Sequence, residues 1–367
     1  MLFRSGREQQ RSPQPIGSMS CGVASRRMTI QRRALFGFSA AWVVDSGRAW
    51  AQASTAAPAN AELLSAPGPL TVQSRREDWP DSARSRGVPV QLYLPQPASE
   101  HDGPWPLIVF SHGLGGSRDG GKAWGQHWAS HGFACLHPQH PGSDESLWRG
   151  VTGGRAAVMA ALRPGMGPEQ LLARVADVRF VIDELGRRSA GGDAPLARID
   201  LTRIGIAGHS FGAITTQALM GQRFPAAPNI KLSEPRAKAA LLFTHRRAAI
   251  GATRPLAALR CWTGTRGELP QLTPDVSAAS RLQVFAHLPT GDKSQIVFDG
   301  GDHMLFGGDT LREREDPARD QRQWRLIRAG SLAFWRAYLR GDSQAKAWLS
   351  DTGFGAALGE QGRFSAK

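Results

Sequence analysis

From about residue 87 onward the chain alternates short apolar runs with longer amphipathic stretches, and this alternation constrains the fold more than any other feature. Strands are predicted at Val88–Leu94, Pro106–Ser111, Phe133–His137, Arg203–Gly208, Ala239–Thr244, Leu259–Thr263 and Gln295–Asp299. Helices are predicted over 119–131, 169–188, 211–222 and 318–340. Within 169–188, Leu171, Leu172, Val175, Val178, Val181, Ile182 and Leu185 recur at spacings of three and four, which predicts one buried stripe. Strands alternating with helices imply an α/β fold with a mostly parallel sheet covered on both faces. Ligands of such sheets bind at the carboxyl ends of the strands, so the chemistry is to be sought just past each run. The elements suffice for one domain over 78–345, with 346–367 as a C-terminal tail.

The N-terminal part reads differently. Arg32 and Arg33 are followed by the apolar run Ala34–Val44 and then by Ala49-Trp50-Ala51. Charge, apolar run and small-x-small is the order of a secretory signal, and the paired arginines predict twin-arginine export to the periplasm or beyond. Residues 52–77 begin small, polar and Pro-containing and are expected to be a linker. Eight of the 45 basic residues and two of the 31 acidic ones fall in residues 1–51, so the net charge of +14 drops to +8 without them. The remaining arginines are dispersed, with no aromatic-basic ladder or reading helix, which excludes a nucleic-acid protein. They leave a weak attraction to anionic membrane surfaces. Three scattered cysteines exclude a disulfide scaffold, and Cys135 and Cys261 sit in apolar runs, where a free thiol behaves as a small hydrophobe. The pair His137-x-x-His140 lacks the further ligands that a metal site needs.

After the run Arg203–Gly208 stands Gly208-His209-Ser210-Phe211-Gly212, a G-x-S-x-G between a strand and a helix. Such a turn holds the serine in a strained conformation, needs small neighbours, and lifts the hydroxyl to the sheet edge at a helix N-terminus. Ser210 is therefore the candidate nucleophile, and His209, at the variable position, is expected to pack. Acyl transfer also needs two backbone N–H groups aimed at the developing oxyanion. Phe211 supplies one. The loop Ser111-His112-Gly113-Leu114-Gly115-Gly116 supplies the other through Leu114.

Chain order in this arrangement is serine, acid, histidine. His303 follows the last predicted strand and is the candidate base. His245 also follows a strand and is placed near the pocket, whereas His287 lies in a helix-like stretch. Among the acids between Ser210 and His303, Glu234 and Asp292 precede strands, and Asp299 and Asp302 are too close to His303 in sequence to orient it simply. Glu268, just past a strand end, is the candidate orienting carboxylate. Asp275 is the alternative.

Taken together, VFSHGLGG (109–116), ASHGFACLHPQHPGSD (129–144), GHSFGA (208–213) and GGDHMLFGG (300–308) resemble the α/β-hydrolase fold. Within it they are similar to the platelet-activating-factor acetylhydrolase-like and bacterial dienelactone-hydrolase-like esterases, as is DSARSRGVPVQLYLP (81–95). The resemblance implies Ser210 as nucleophile, His303 as base and Leu114 and Phe211 as oxyanion donors. Two departures stand out. True dienelactone hydrolases use Cys where Ser210 stands. The acetylhydrolases carry their acid directly after the strand that follows the nucleophile's helix, and Leu241-Leu242-Phe243-Thr244 has none. In many bacterial relatives the acid follows a G-T-x stretch on the next strand. Here Gly267 occupies one usual Asp position, beside Glu268.

The short stretch after Thr244 leaves no room for a large cap, and residues 141–168, with Leu147, Trp148, Val158, Met159 and Met166, are expected to form an apolar lip. The expected activity is cofactor-free hydrolysis of a small-molecule or lipid ester, with short-acyl or phospholipid-like groups. Alternatives are a lipase or polyester hydrolase, an acyltransferase, and a binding scaffold that has lost its acid.

Overall fold

The computed structural model describes residues 60–99, 102–224, 227, 229–244, 258–268, 272, 276–308 and 315–367. The export-signal stretch, Asp275 and His245 lie outside them. The strands are β1 (Val72–Asp81), β2 (Arg86–Pro95), β3 (Trp105–Ser111), β4 (Ala134–Pro138), β5 (Ile199–His209), β6 (Ala237–Phe243), β7 (Ala258–Arg266), β8 (Lys293–Asp302) and β9 (Gly362–Ala366). They form one sheet in the order β1-β2-β4-β3-β5-β6-β7-β8-β9. From β4 to β8 across the sheet, neighbouring strands run parallel. The antiparallel pairings are confined to its two sides, β1–β2–β4 and β8–β9.

The central strands are apolar on both faces because both faces are covered. Ile108 and Phe110 of β3 and Ala207 of β5 belong to one buried cluster, and Leu107, Val109, Ile204 and Ile206 to the other. That is the two-residue period of a strand read against two cores. The helices of nine residues or more are α1 (Lys122–Ser130), α2 (Gly154–Leu162), α3 (Pro168–Ala190), α4 (Phe211–Leu219), α5 (Ala278–Ala286) and α6 (Pro317–Arg340). Trp124 and Trp128 of α1 and Ile327, Leu332 and Trp335 of α6 fill the first cluster. Val175, Val178 and Val181 of α3 and Ile214 of α4 fill the second. Helix α3 opens on Pro168, whose missing N–H is no loss at that position. Helix α6 opens on Asp316, which accepts the Arg319 N–H, and ends at Gly341 with a left-handed φ of 69°.

The sheet is wider than the sequence implied. Strand β1 begins inside the stretch read as a linker, and β9 lies in the stretch read as a tail. Both are edge strands with mostly exposed or half-buried side chains, and β1 carries Arg75, Arg76, Glu77 and Asp78 in succession. Charged edges of this kind hinder edge-to-edge association and carry no apolar alternation to read. Leu172 also departs from expectation: it is 41% exposed, off the buried stripe of α3. Cys135 and Cys261 are buried free thiols. The described residues between β4 and α3 hold α2 and two short 3-10 turns, Glu145–Leu147 and Arg163–Met166, with no cap domain. Among the described residues no helix is long and apolar enough to cross a membrane.

The two faces of α3 give a direct stability test. Leu185 is fully buried, so Leu185→Ala is expected to lower the unfolding free energy by about 2–5 kcal/mol in urea titrations. Leu172→Ala, on the exposed side, is expected to stay within about 0.5 kcal/mol of wild type.

Candidate active site

Strand β5 runs into α4 through a turn of one residue, Ser210. Its φ of 58° and ψ of −115° lie where a non-glycine residue is strained, by about 1–3 kcal/mol. The surroundings impose this conformation. The Ser210 N–H donates to the Phe243 carbonyl at 2.9 Å, pinning it to the end of β6. A Cβ on Gly208 would lie 2.2 Å from the Gly212 carbonyl oxygen, and one on Gly212 would lie 1.8 Å from that of Ser111. Glycine is thus required at both positions by the close approach of backbone to backbone, and the reason anticipated from the motif holds.

The loop after β3 comes up against this turn. A Cβ on Gly113 would sit 3.3 Å from the Ser210 Cβ. The backbone N–H groups of Leu114 and Phe211 form no hydrogen bond among the described residues. Leu114, Ser210 and His303 line one cavity of ≈ 380 Å³. Its outer wall includes Arg155, Met159 and Leu162 of α2. Of the apolar lip expected from residues 141–168, Met159 reaches the cavity. Trp148 instead stands beside it, its indole N–H donating to the Gly115 carbonyl at 2.7 Å.

His303 sits just past β8 and is buried. Burial, reinforced by the His209 ring and the Arg281 guanidinium, holds its imidazole well below the ordinary value of 6.5, and the Gly267 backbone opposes that shift. His209 does more than pack: its Nε2–H donates to the His303 carbonyl at 2.9 Å and so fixes the backbone that carries the ring. Burial keeps His209 itself neutral, lowering it to about 4.

Nδ1 of His303 has no hydrogen-bond partner among the described residues. Glu268 does not supply one. Its side chain is exposed, and its Oε1 accepts the Ala278 N–H at 3.0 Å in the first turn of α5. Asp302 accepts the Leu305 N–H at 2.8 Å, and Asp299 pairs with Arg363 at 3.5 Å. The structure therefore brings Ser210, His303 and Leu114 to one cavity, with Phe211 next to the serine at the start of α4, and leaves Glu268 at the start of α5. His287 caps the end of α5, its Nδ1–H donating to the Gln283 carbonyl at 2.7 Å.

His137 and His140 do not converge on a metal site. His137 Nδ1 bonds the Gly120 carbonyl at 2.9 Å. His140 lies in a buried chain: the Ser111 hydroxyl donates to its Nε2 at 2.9 Å, and its Nδ1–H donates to Asp177 at 3.0 Å. This chain has the wiring of a serine–histidine–aspartate triad, but all three side chains are fully buried, out of reach of any ester. Among the described residues no group of three or more His, Cys, Asp or Glu side chains is placed to hold a metal ion.

A mainly parallel sheet with helices on both faces and a strained serine at the strand-to-helix turn of its central strand is the α/β-hydrolase fold. Residues 89–149, which carry β3, β4 and the loop at the cavity, match the family model of platelet-activating factor acetylhydrolase, isoform II. Over that stretch the chain is similar to this family, and the similarity implies a hydrolase. No curated protein matches the chain.

The contact at Gly212 is the tightest at the site. Gly212→Ala is expected to force β3 and the turn apart, lowering the unfolding free energy by about 1–3 kcal/mol or more, with the loss read as a reduced melting temperature.

Proposed function

We propose that the chain is a serine carboxylic-ester hydrolase that works through an acyl-enzyme at Ser210. The observation that carries this is the strained serine at the N-terminus of α4, sharing a cavity with a buried neutral histidine and with Leu114, whose backbone N–H, like that of Phe211 next to the serine, is unengaged among the described residues. In this reading His303 takes the hydroxyl proton as Ser210 attacks the ester carbonyl, and the Leu114 and Phe211 N–H groups receive the charge that develops on its oxygen. The alcohol leaves, and a water activated by His303 releases the acid. No cofactor takes part in this sequence.

The cavity supports a short acyl chain against Met159 and Leu162. Arg155, exposed on the outer wall, supplies a cation at the mouth. An apolar slot with a cation at its rim suits a phospholipid-like ester with its phosphate outward, in keeping with the substrate in the matched family's name. The Arg32-Arg33 leader places this activity outside the cytoplasm in the same reading.

A second reading is favoured by one observation, the His303 Nδ1 without a described partner. It is that of a scaffold whose chemistry is impaired for want of a carboxylate.

The test is hydrolysis of p-nitrophenyl acetate, butyrate and octanoate by the full chain. Ser210→Ala and His303→Ala are each expected to lose about a thousandfold or more in kcat/KM, as members of one catalytic unit do. The base must be neutral to accept the proton, and its protonation is held below the ordinary 6.5. The acid limb of kcat/KM is therefore expected below pH 6.5 in a pH–rate profile, and a limb above 6.5 contradicts the assignment.

Two further variants decide between the readings. Glu268→Gln is expected to leave kcat/KM within about threefold, since its carboxylate serves α5. A Cβ at Gly267 would lie 3.2 Å from the Gly264 carbonyl and 3.4 Å from the Thr263 hydroxyl, so a side chain fits there with a small adjustment. Gly267→Asp is expected to raise kcat/KM about tenfold by giving the imidazole an orienting charge. Activity appearing only in Gly267→Asp establishes the scaffold reading.

A further inference from the structure

Arg174, in the second turn of α3, is fully buried, and among the described residues no carboxylate is hydrogen-bonded to it. Its donors go to the loop that carries Leu114. Nη1 donates to the His112 carbonyl at 2.7 Å, and Nη2 reaches the Gly113 carbonyl at 3.3 Å. Nε donates to the Ser143 hydroxyl at 2.7 Å, and Nη2 also to the Ser143 carbonyl at 3.2 Å. The guanidinium carbon lies 4.4 Å from the centroid of the Phe211 ring. One side chain thus grips both segments that carry the proposed oxyanion donors.

The Gly113 carbonyl is held by two side chains, Arg174 and His112, and by the Gly116 N–H at 3.1 Å. The His140 N–H donates to Nε2 of His112 at 3.1 Å, so Nε2 is the unprotonated nitrogen of a neutral ring. Burial, with Arg174 and His140 beside it, keeps that ring neutral. Nδ1 therefore carries the proton and donates to the Gly113 carbonyl at 2.6 Å. That carbonyl and the Leu114 N–H belong to one planar trans peptide and point in opposite directions. Fixing the oxygen from behind fixes the N–H in front, and donors on the oxygen polarise the N–H further.

The buried chain Ser111–His140–Asp177 anchors this arrangement from beneath. Arg84 and Arg86 hold the Asp177 carboxylate at 2.9 Å, and Asp177 orients His140. Burial works against ionisation there, but His140 and Arg86 hold the carboxyl down at about 2.

Resting on the assignment of Leu114 and Phe211 as oxyanion donors, we propose that Arg174, together with His112, is the positioning device of the oxyanion hole: it sets the Leu114 peptide from behind and braces Phe211 through its ring. Arg174 touches neither substrate nor reacting atoms. Its effect is therefore expected in the stabilisation of the transition state and not in ground-state binding.

The experiment compares the full-length wild type with Arg174→Gln, Arg174→Lys and Ser143→Ala, with melting temperatures recorded for each. The readouts are kcat and KM for p-nitrophenyl acetate and the inhibition constant of an alkyl trifluoromethyl ketone, which adds to the serine and places an oxyanion in the hole. Arg174→Gln is expected to lower kcat by about tenfold to a hundredfold, somewhat less than the loss of a direct donor. KM is expected to change less than about threefold, and ketone binding to weaken by the same factor as kcat. Arg174→Lys keeps the charge without the planar fork and is expected to recover only part of the loss. A folded Arg174→Gln with wild-type kcat and ketone binding overturns the proposal, as does a loss confined to KM or to melting temperature. If Arg174→Gln does not fold, Ser143→Ala decides, because it removes one of the four polar contacts. A kcat reduced about threefold or more supports the proposal, and an unchanged kcat overturns it. Wild type that neither hydrolyses esters nor is labelled at Ser210 by a fluorophosphonate sinks the esterase reading, and the inference falls with it. That outcome is distinct, since it appears before any variant is made.

Discussion

The approach of Gly212 to the Ser111 carbonyl sets the geometry of everything at the carboxyl edge of the sheet. Two neighbouring parallel strands, β3 and β5, end side by side, and the chain leaving β5 must turn back within one residue. The turn fits only because no side chain stands between it and the end of β3. With that contact made, Ser210 has no relaxed conformation to adopt, and the loop after β3 lies against the serine. The strain at Ser210 is local, but the strand segments that impose it, the whole of β3 and residues 204–209 of β5, are buried at every residue. Strain and burial are here two aspects of one packing arrangement.

Behind the loop lies a polar layer that burial alone would make unfavourable. Arg174, His112, His140, Ser111 and Asp177 are all within a few per cent of full burial. A buried charge is tolerated when its hydrogen-bonding capacity is met. Asp177 meets that condition with His140, Arg84 and Arg86. Arg174 meets it differently, with carbonyl oxygens, a hydroxyl and an aromatic face. Removing a single member leaves the others buried and unpaired, so the layer behaves as a unit. A loop built largely of glycine, which has little intrinsic preference for one conformation, is thereby given a single one.

Much of this was legible in the sequence where apolar periodicity or steric demand left a mark. The seven central strand runs, the stripe of α3 apart from Leu172, and the glycines around Ser210 each follow from a pattern with one physical reading. The edge strands β1 and β9 were not legible, because a strand with one neighbour and solvent-facing side chains needs no alternation of hydrophobicity. Arg174 is not legible for a related reason: an arginine in an amphipathic helix reads as its wet face, and only the fold shows that it points inward at carbonyls. His209 reads as a packing residue because its role runs through a backbone atom 94 positions away. Glu268 looked suitable because it follows a strand end, yet the start of α5 lies closer to it and claims its carboxylate.

The cavity has two kinds of wall, built from different parts of the chain. The inner wall comes from strand ends locked by backbone contacts and by the buried polar layer. The outer wall comes from α2, a nine-residue helix lying between β4 and α3, most of whose side chains are not buried. Substitutions at Arg155 and Met159 therefore alter what the cavity admits without touching what holds the serine, whereas Leu162 also packs on Gly115 of the loop after β3. The molecule thus divides the cavity between a wall that side chains of one short helix define and a wall that backbone packing fixes, so the shape of the first can change while the second stays as it is.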